Sequence, residues 1–131
     1  MRPEALREAR DWVARAERDL LFAERAVDTA PILPEMAAYH AQQTAEKALK
    51  GFLTAHDVPF HRTHELVPLL AACLRLEPAL QPLLGAAQTL SPYATRFRYP
   101  GGPLEPSVAE AKEALRLASE VLELVRRLLG L

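Results

Sequence analysis

The sequence has few cysteines, few aromatic residues and no excess of charge of one sign. Cys73 is the only cysteine, which excludes an internal disulfide and a cysteine-based zinc cluster and fits a reducing cytoplasm. Aromatic residues make up 6% of a sequence that is 50% hydrophobic, so Leu, Ala and Val must fill the core, as in packed helices rather than a β-sandwich. A net charge of -1 argues against a protein that holds nucleic acid mainly through its phosphates, although it leaves room for a local basic patch.

The sequence also lacks a long apolar run. No stretch is long and apolar enough to span a bilayer, and the charged segment 1–19 has no apolar region of the kind found in signal peptides. The length of 131 residues fits one compact domain, and no internal repeat or low-complexity tract is detectable. We therefore expect a single soluble domain over residues 1–131, located in the cytoplasm and without membrane contact.

Apolar residues recur at helical spacing in segments that prolines separate. The spacing predicts helices over residues 4–28 and 34–56, with Pro34 in a first turn where its missing N–H costs nothing. Thr63 is expected to cap a third helix that runs to about residue 76, with Glu65 in its first turn. Pro78 is expected to open a fourth helix, which should end in the 93–99 region before a glycine-rich loop.

The last predicted helix starts at a Ser-x-x-Glu capping box formed by Ser107 and Glu110. It carries two adjacent apolar stripes, which either pack inside a bundle or form part of a dimer surface. The predicted fold class is therefore all-α, an up-and-down antiparallel bundle of four to five helices.

One face of the predicted second helix is polar and cationic. At 100° per residue, His40, Gln43, Lys47 and Lys50 fall within about a quarter of the helix circumference, opposite an apolar stripe. The two lysines could neutralise a phosphate, while the other two side chains could hydrogen-bond a base or a ribose. The alternative is a solvated surface face, which is the more common origin of such a pattern.

Asp19 lies at the flank of the apolar stripe of the first helix, where an unpaired carboxylate would be costly. A partner is therefore expected. Asp19 could orient an arginine of a binding or catalytic site, or it could form a structural ion pair or a hydrogen bond to a helix end.

His64 is predicted at the first helical position after Thr63, where a neutral ring could accept a proton or a hydrogen bond. The free N–H groups of the same helix start could bind an anion, so Arg62, Thr63 and His64 are a candidate phosphate site. The alternative is that these residues only cap and pack the helix.

Arg96 and Arg98 are expected at the end of the fourth helix, where their charge would complement the helix dipole. The functional alternative is that one of them binds a phosphate through its planar guanidinium while Tyr99 stacks on a base.

Four segments carry motifs that occur in the same order in one known family. They are Trp12-x-x-x-Ala16-x-x-Asp19-Leu20-x-x-Ala23, Tyr39-His40-Ala41-Gln42-Gln43-Thr44-Ala45-Glu46-Lys47-Ala48-Leu49-Lys50, His61-Arg62-Thr63-His64-Glu65-Leu66 and Arg96-Phe97-Arg98-Tyr99-Pro100. Together they resemble the HEPN (higher eukaryotes and prokaryotes nucleotide-binding) family. The run Gln-Gln-x-Ala-Glu-Lys-Ala-Leu-Lys is the most specific of the motifs.

The resemblance implies a helical bundle, often a homodimer, that occurs in prokaryotes beside a nucleotidyltransferase of the MNT type in toxin–antitoxin-like pairs. Some members of the family resemble metal-independent ribonucleases, and others resemble nucleotide-binding or partner-binding modules. The expected ligand is a nucleotide, such as ATP, or RNA. The candidate ligand-binding residues are His40, Gln43, Lys47, Lys50, Arg62, His64, Arg96, Arg98 and Tyr99.

The ribonuclease members carry an arginine followed after four to six residues by histidine near the start of the final helix, and this sequence lacks that pattern after Arg96 or Arg98. We therefore favour a domain that is not catalytic alone; in a ribonuclease, His64 and Arg98 would be the catalytic candidates. A purely structural dimer or hetero-complex partner is a further alternative.

No cofactor or metal is expected, because the histidines lack zinc-ligand spacing and no phosphate-binding Gly-rich loop is present.

Overall fold

The computed structural model describes residues 1–95 and 105–131, and the regular structure within those ranges is entirely helical. The helices are α1 (Pro3–Asp28), α2 (Pro34–Ala55), α3 (Leu66–Leu74), α4 (Leu84–Leu90) and α5 (Val108–Leu129). Two 3₁₀ segments, Pro78–Leu83 and Ser91–Ala94, flank α4. The predicted all-α class is confirmed, and none of the helices in these ranges is both long and apolar enough to cross a membrane.

The antiparallel pair α1 and α2 forms the frame on which the polar residues are arranged. Arg2 near the start of α1 binds Asp57 just beyond the end of α2, and Asp19 in the second half of α1 binds His40 in the first half of α2. Fully buried alanines on both helices allow the backbones to approach closely. At Gly51 the approach leaves little room for a side chain, because a Cβ added there would lie 3.0 Å from Cβ of Trp12.

Helix α5 closes the core on another side of α2. Buried residues of both its stripes, including Ala114, Ala118, Val121 and Val125, belong to the same hydrophobic core as α2, and Leu124 packs against that core from a half-buried position. Its wide apolar face is therefore used mainly within the chain. The predicted capping box is present, since the Ser107 hydroxyl accepts from the Glu110 N–H and the Glu110 carboxylate accepts from the Ser107 N–H, both at 3.0 Å.

The predicted start of the third helix is wrong. Helix α3 begins at Leu66 with Glu65 as its N-cap, and the hydroxyl of Thr63 instead accepts a hydrogen bond from the N–H of Glu65 in a local turn. His64 therefore precedes the helix. Arg62, Thr63 and His64 therefore do not lie at a helix start, where the expected anion site would need them.

The fourth helix is also not continuous. It is divided into the 3₁₀ segment Pro78–Leu83, the short helix α4 and the 3₁₀ segment Ser91–Ala94. Pro82 and Pro92 lack the N–H that a continuous α-helix would use, which explains the breaks. The expected helix end at Arg96, Arg98 and Tyr99 lies outside the described residues.

Candidate functional site

The polar face of α2 packs against α1 and against the segment that precedes α3, so it is not a solvated surface. Together with side chains from these neighbours, the polar side chains of α2 form two groups. The first is the Asp19 cluster, which consists of Asp19, His40 and Lys47. The second is the Glu46 cluster, which consists of Gln42, Gln43, Glu46, Lys50 and His64.

The carboxylate of Asp19 is the centre of the first cluster. Its side chain is 11% exposed, and its two oxygens accept hydrogen bonds from Nδ1 of His40, at 2.8 Å, and from Nζ of Lys47. Burial opposes ionisation, but the bonds from His40 and Lys47 outweigh it and hold the pKa of Asp19 below its ordinary value. Because an ionised carboxylate can only accept, Nδ1 of His40 must be the donor.

An open pocket of about 420 Å³, which we call the Arg18 pocket, lies beside this cluster between α1 and α2. It is lined by Arg15, Arg18, Asp19, Phe22, His40 and Lys47. The rings of Phe22 and His40 both line it and contact each other, with 4.2 Å between their centroids and a tilt of 41° between their planes. The pocket combines aromatic surface with a group of cations.

The residues that line the Arg18 pocket carry more positive than negative charge. Lys47 is paired with Asp19, whereas Arg15 and Arg18 form no ion pair or hydrogen bond with any residue in the ranges 1–95 and 105–131. Both arginines are exposed at the rim. Their planar guanidinium groups are suited to an oxyanion such as a phosphate.

The Glu46 cluster is more deeply buried. The Glu46 side chain is 5% exposed and accepts hydrogen bonds from Lys50 at 3.0 Å, from Nδ1 of His64 at 2.8 Å and from Gln42 at 3.3 Å. Gln42 also donates to the backbone carbonyl of His64 at 2.8 Å, and Gln43 donates to the side-chain carbonyl of Gln42 at 2.7 Å. Among the described residues, every buried side-chain N or O atom has a hydrogen-bond partner.

Two aromatic rings cover Lys50 of this cluster. Its Nζ lies 5.8 Å from the ring centroid of Trp12 and 5.6 Å from that of Phe60, and those two rings meet edge to face at 6.0 Å. Lys50 is thus enclosed by Glu46 and by two π faces. This contact joins the Glu46 cluster to the first half of α1.

The model of the HEPN domain family matches residues 9–128. The chain belongs to the HEPN family. Its fold is similar to the crystal structure of TT1696 from Thermus thermophilus, with 33% identity, a TM-score of 0.80 and coverage of 91% of this chain and 96% of the other. It is also similar to the crystal structure of ST0689, an archaeal HEPN homologue, with 30% identity, a TM-score of 0.75 and coverage of 92% and 97%. Comparison with curated proteins gave no match.

The HEPN motif on α2 thus contributes to both polar clusters. Of the residues singled out in the sequence, His40 and Lys47 line the Arg18 pocket, whereas Gln43 and Lys50 belong to the Glu46 cluster. His64 joins the second cluster from outside α2, with its side chain 54% exposed. Arg62 is exposed and has no partner in the part of the chain that the structure describes.

Sequence reasoning missed the contribution of α1 to the candidate site. Arg15, Arg18 and Phe22 line the pocket because they share the face of α1 that carries Asp19, and their spacing of three or four residues was the available signal. It also missed Gln42 and Glu46, although both lie within the most specific family motif. No group of three His, Cys, Asp or Glu side chains within residues 1–95 and 105–131 is placed to hold a metal ion.

Proposed function

We propose that this HEPN chain binds a nucleotide in the Arg18 pocket and works with a separately encoded nucleotidyltransferase of the MNT type. The observation that carries the binding proposal is that Arg15 and Arg18, which have no partner among the described residues, lie beside Lys47 and the adjoining rings of Phe22 and His40. A nucleotide needs both the cations and the rings, since its phosphates require cations and its base or ribose requires a flat or polar surface.

The volume and the placement of charge support a small anionic ligand. A pocket of about 420 Å³ is within the usual range for a small-molecule site. Lys47 holds Asp19 but has further donor hydrogens that can reach a phosphate. The exposed arginines attract an anion without the cost of breaking an existing ion pair.

The partner proposal rests on membership of the HEPN family, in which pairs with nucleotidyltransferases occur. The proposal that the chain forms a homodimer rests on the same membership. Size-exclusion chromatography with light scattering, on this chain alone and after co-expression with a nucleotidyltransferase encoded beside it, tests both. A dimer alone and a co-eluting complex with the nucleotidyltransferase are expected. A strict monomer that never co-elutes with the enzyme contradicts both.

Isothermal titration calorimetry against ATP, GTP, CTP and UTP, with and without magnesium, tests nucleotide binding. We expect saturable binding that Arg18→Gln weakens roughly tenfold, because a charge-assisted contact to phosphate is lost. Arg10→Gln is the matched control, since Arg10 is an exposed arginine of α1 that lines none of the described pockets. Absence of binding across the panel would favour a purely structural partner.

One observation favours a second candidate function, a metal-independent ribonuclease. His64 donates a hydrogen bond from Nδ1 to buried Glu46, so Nε2 on its half-exposed ring is the nitrogen that a neutral imidazole would use as a general base. The test is cleavage of single-stranded and structured RNA, with His64→Asn as the variant and an active HEPN ribonuclease as positive control. RNA left intact by the wild-type chain eliminates this candidate.

A further inference from the structure

A second, smaller pocket adjoins the Arg18 pocket on α1. It has a volume of about 240 Å³, is lined by Glu8, Asp11, Trp12 and Arg15, and we call it the Trp12 pocket. Arg15 lines both pockets, so the two are neighbours along the helix. A ligand in either pocket therefore lies beside Arg15.

The two pockets repeat along one face of α1. Each residue that lines the Trp12 pocket has a counterpart seven positions later in the Arg18 pocket, which corresponds to about 10.5 Å along the helix axis and only about 20° around it. The corresponding pairs are Glu8 and Arg15, Asp11 and Arg18, Trp12 and Asp19, and Arg15 and Phe22. The face is therefore continuous, but its charge changes from acidic at the Trp12 pocket to basic at the Arg18 pocket.

The Trp12 pocket has the chemistry of a base site rather than a phosphate site. Trp12 offers an aromatic surface whose position is fixed by Lys50 and Phe60. Glu8 and Asp11 are exposed carboxylates with no hydrogen bond or ion pair in the described part of the chain. Ionised carboxylates accept hydrogen bonds and repel phosphate.

Among the common bases, guanine is the one that presents two adjacent donors, its N1–H and its 2-amino group, on the Watson–Crick edge. Adenine and cytosine place an acceptor beside their single amino group, and uracil flanks its N3–H with two carbonyl oxygens. A ring beside two acceptor-only carboxylates is thus most complementary to guanine.

We infer that the two pockets together hold one guanine nucleotide, with the base against Trp12, its donor edge on Asp11 and Glu8, and its phosphates on Arg15, Arg18 and Lys47. The inference rests on the proposed nucleotide binding and names the substrate class of that site. The acidic end repels phosphate and the basic end attracts it, so only one orientation along α1 is favoured. A pocket spacing of about 10.5 Å suits the reach from a base to the phosphates of a nucleoside di- or triphosphate.

Tryptophan fluorescence tests the inference directly, because Trp12 is the only tryptophan in the chain. Titration with GTP and GDP is expected to change the Trp12 emission. ATP, CTP and UTP should bind roughly tenfold or more weakly than GTP, since at least one hydrogen bond to a charged acceptor is lost. ITP, which lacks only the 2-amino group, should lie between GTP and ATP.

Variants on the same helix separate the roles. Asp11→Asn should abolish the preference for GTP over ATP while leaving the phosphate contacts intact, because an amide can no longer serve as an acceptor-only group. Asp28→Asn is the matched control, since Asp28 is an exposed carboxylate of α1 outside both pockets. It should keep the preference for GTP.

The outcomes distinguish this inference from the proposed function. Binding that depends on Arg18 but shows equal affinity for GTP and ATP overturns the guanine site and keeps nucleotide binding. Preference for GTP with unchanged Trp12 emission overturns the placement of the base. Absence of binding by any nucleotide overturns the proposed function and the guanine site together.

Discussion

The ring of His64 donates a hydrogen bond from Nδ1 to Oε1 of the buried Glu46 carboxylate. The two atoms lie 2.8 Å apart, although the residues are 18 positions apart in the chain. The same carboxylate accepts from Lys50 one turn further along α2. The carbonyl of His64 is bound by Gln42, so both the side chain and the backbone of His64 are attached to α2. Glu46 therefore fixes the segment that precedes α3, and with it the exposed edge of His64.

Replacement of Glu46 by glutamine is expected to destabilise the fold by about 3 kcal/mol, because it leaves the charge of Lys50 buried without a counter-ion. Lys50 is only 10% exposed in its side chain, so water cannot take over that role. The free energy of unfolding, measured by urea denaturation followed by circular dichroism, checks the prediction. Glu113→Gln, which breaks an exposed pair with Arg116, is the control and should change it little.

A double variant isolates the cause. Combining Glu46→Gln with Lys50→Met removes both charges, so it should restore part of the stability that Glu46→Gln loses. Equal stability of the Glu46 variant and the Glu113 control would show that the buried pair does not stabilise this protein.

The Asp19 cluster predicts a pH-dependent contribution to stability. Burial raises the pKa of Asp19, but the hydrogen bonds from His40 and Lys47 outweigh it, so the folded pKa lies below the ordinary value of 3.8. The ionised carboxylate therefore stabilises the fold above pH 3.8, and this contribution is lost as the pH falls through the folded pKa. Asp19→Asn should consequently be less stable than the wild type near neutral pH, by a difference that shrinks in acid.

Urea denaturation of the wild type and of Asp19→Asn at neutral pH and at pH values below 3.8 measures this difference. The exposed Asp28→Asn variant controls for the removal of a negative charge from α1. A difference between the wild type and Asp19→Asn that is the same at every pH would refute the linkage to Asp19.

Gly51→Ala should lower stability although alanine is the better helix former. The added Cβ would lie 3.0 Å from Cβ of Trp12 and 3.4 Å from the carbonyl oxygen of Ala9, so its neighbours on α1 would have to shift by a few tenths of an ångström. An overpacking cost of about 2 kcal/mol, the middle of the usual range, exceeds the gain of about 1 kcal/mol in helix propensity, so a net loss of about 1 kcal/mol is expected.

Gly85→Ala is the matched control, since a Cβ at Gly85 meets nothing within 4 Å and the residue lies in helix α4. Its thermal midpoint should stay constant or rise, whereas that of Gly51→Ala should fall. A rise in both variants would mean that the contact between α1 and α2 adjusts without cost.

The thiol of Cys73 should be unreactive in the native protein. Burial raises the pKa of Cys73 to about 12, and Sγ donates a weak hydrogen bond of 3.7 Å to the carbonyl of Leu49. A disulfide reagent such as DTNB should therefore react at mildly alkaline pH only after unfolding, because the thiolate is the nucleophile. Rapid reaction in native buffer would contradict the burial of this residue.

Much of the helical framework could be predicted from the sequence. The predicted helices 4–28 and 34–56 differ by one residue at one end from the observed α1 and α2, because prolines and a strong apolar period mark their limits. The errors lie where local signals compete. Thr63 resembles an N-cap but closes a turn instead, and Pro82 and Pro92 interrupt a segment that its composition made look helical.

The candidate site was only partly predictable for a different reason. Helical period places His40, Gln43, Lys47 and Lys50 on one face of α2, but it does not say which neighbour covers that face. Packing of α1 against that face pairs His40 and Lys47 with Asp19, and His64 from the segment before α3 joins Glu46 and Lys50. Arg15 and Arg18 reach the pocket only through this packing.

Four features follow from the amino-acid sequence without any tertiary information: the helical class, the limits of the two long helices, the capping box of α5 and the family. All of these depend on local spacing and on motifs along the chain. The tertiary structure alone decided which polar groups are paired and which stay free. The partners of Asp19 lie 21 and 28 residues away in the chain, and those of Glu46 include a residue 18 positions away. Such pairings are set by the way helices pack in space, since the energy of a buried charge depends on what surrounds it.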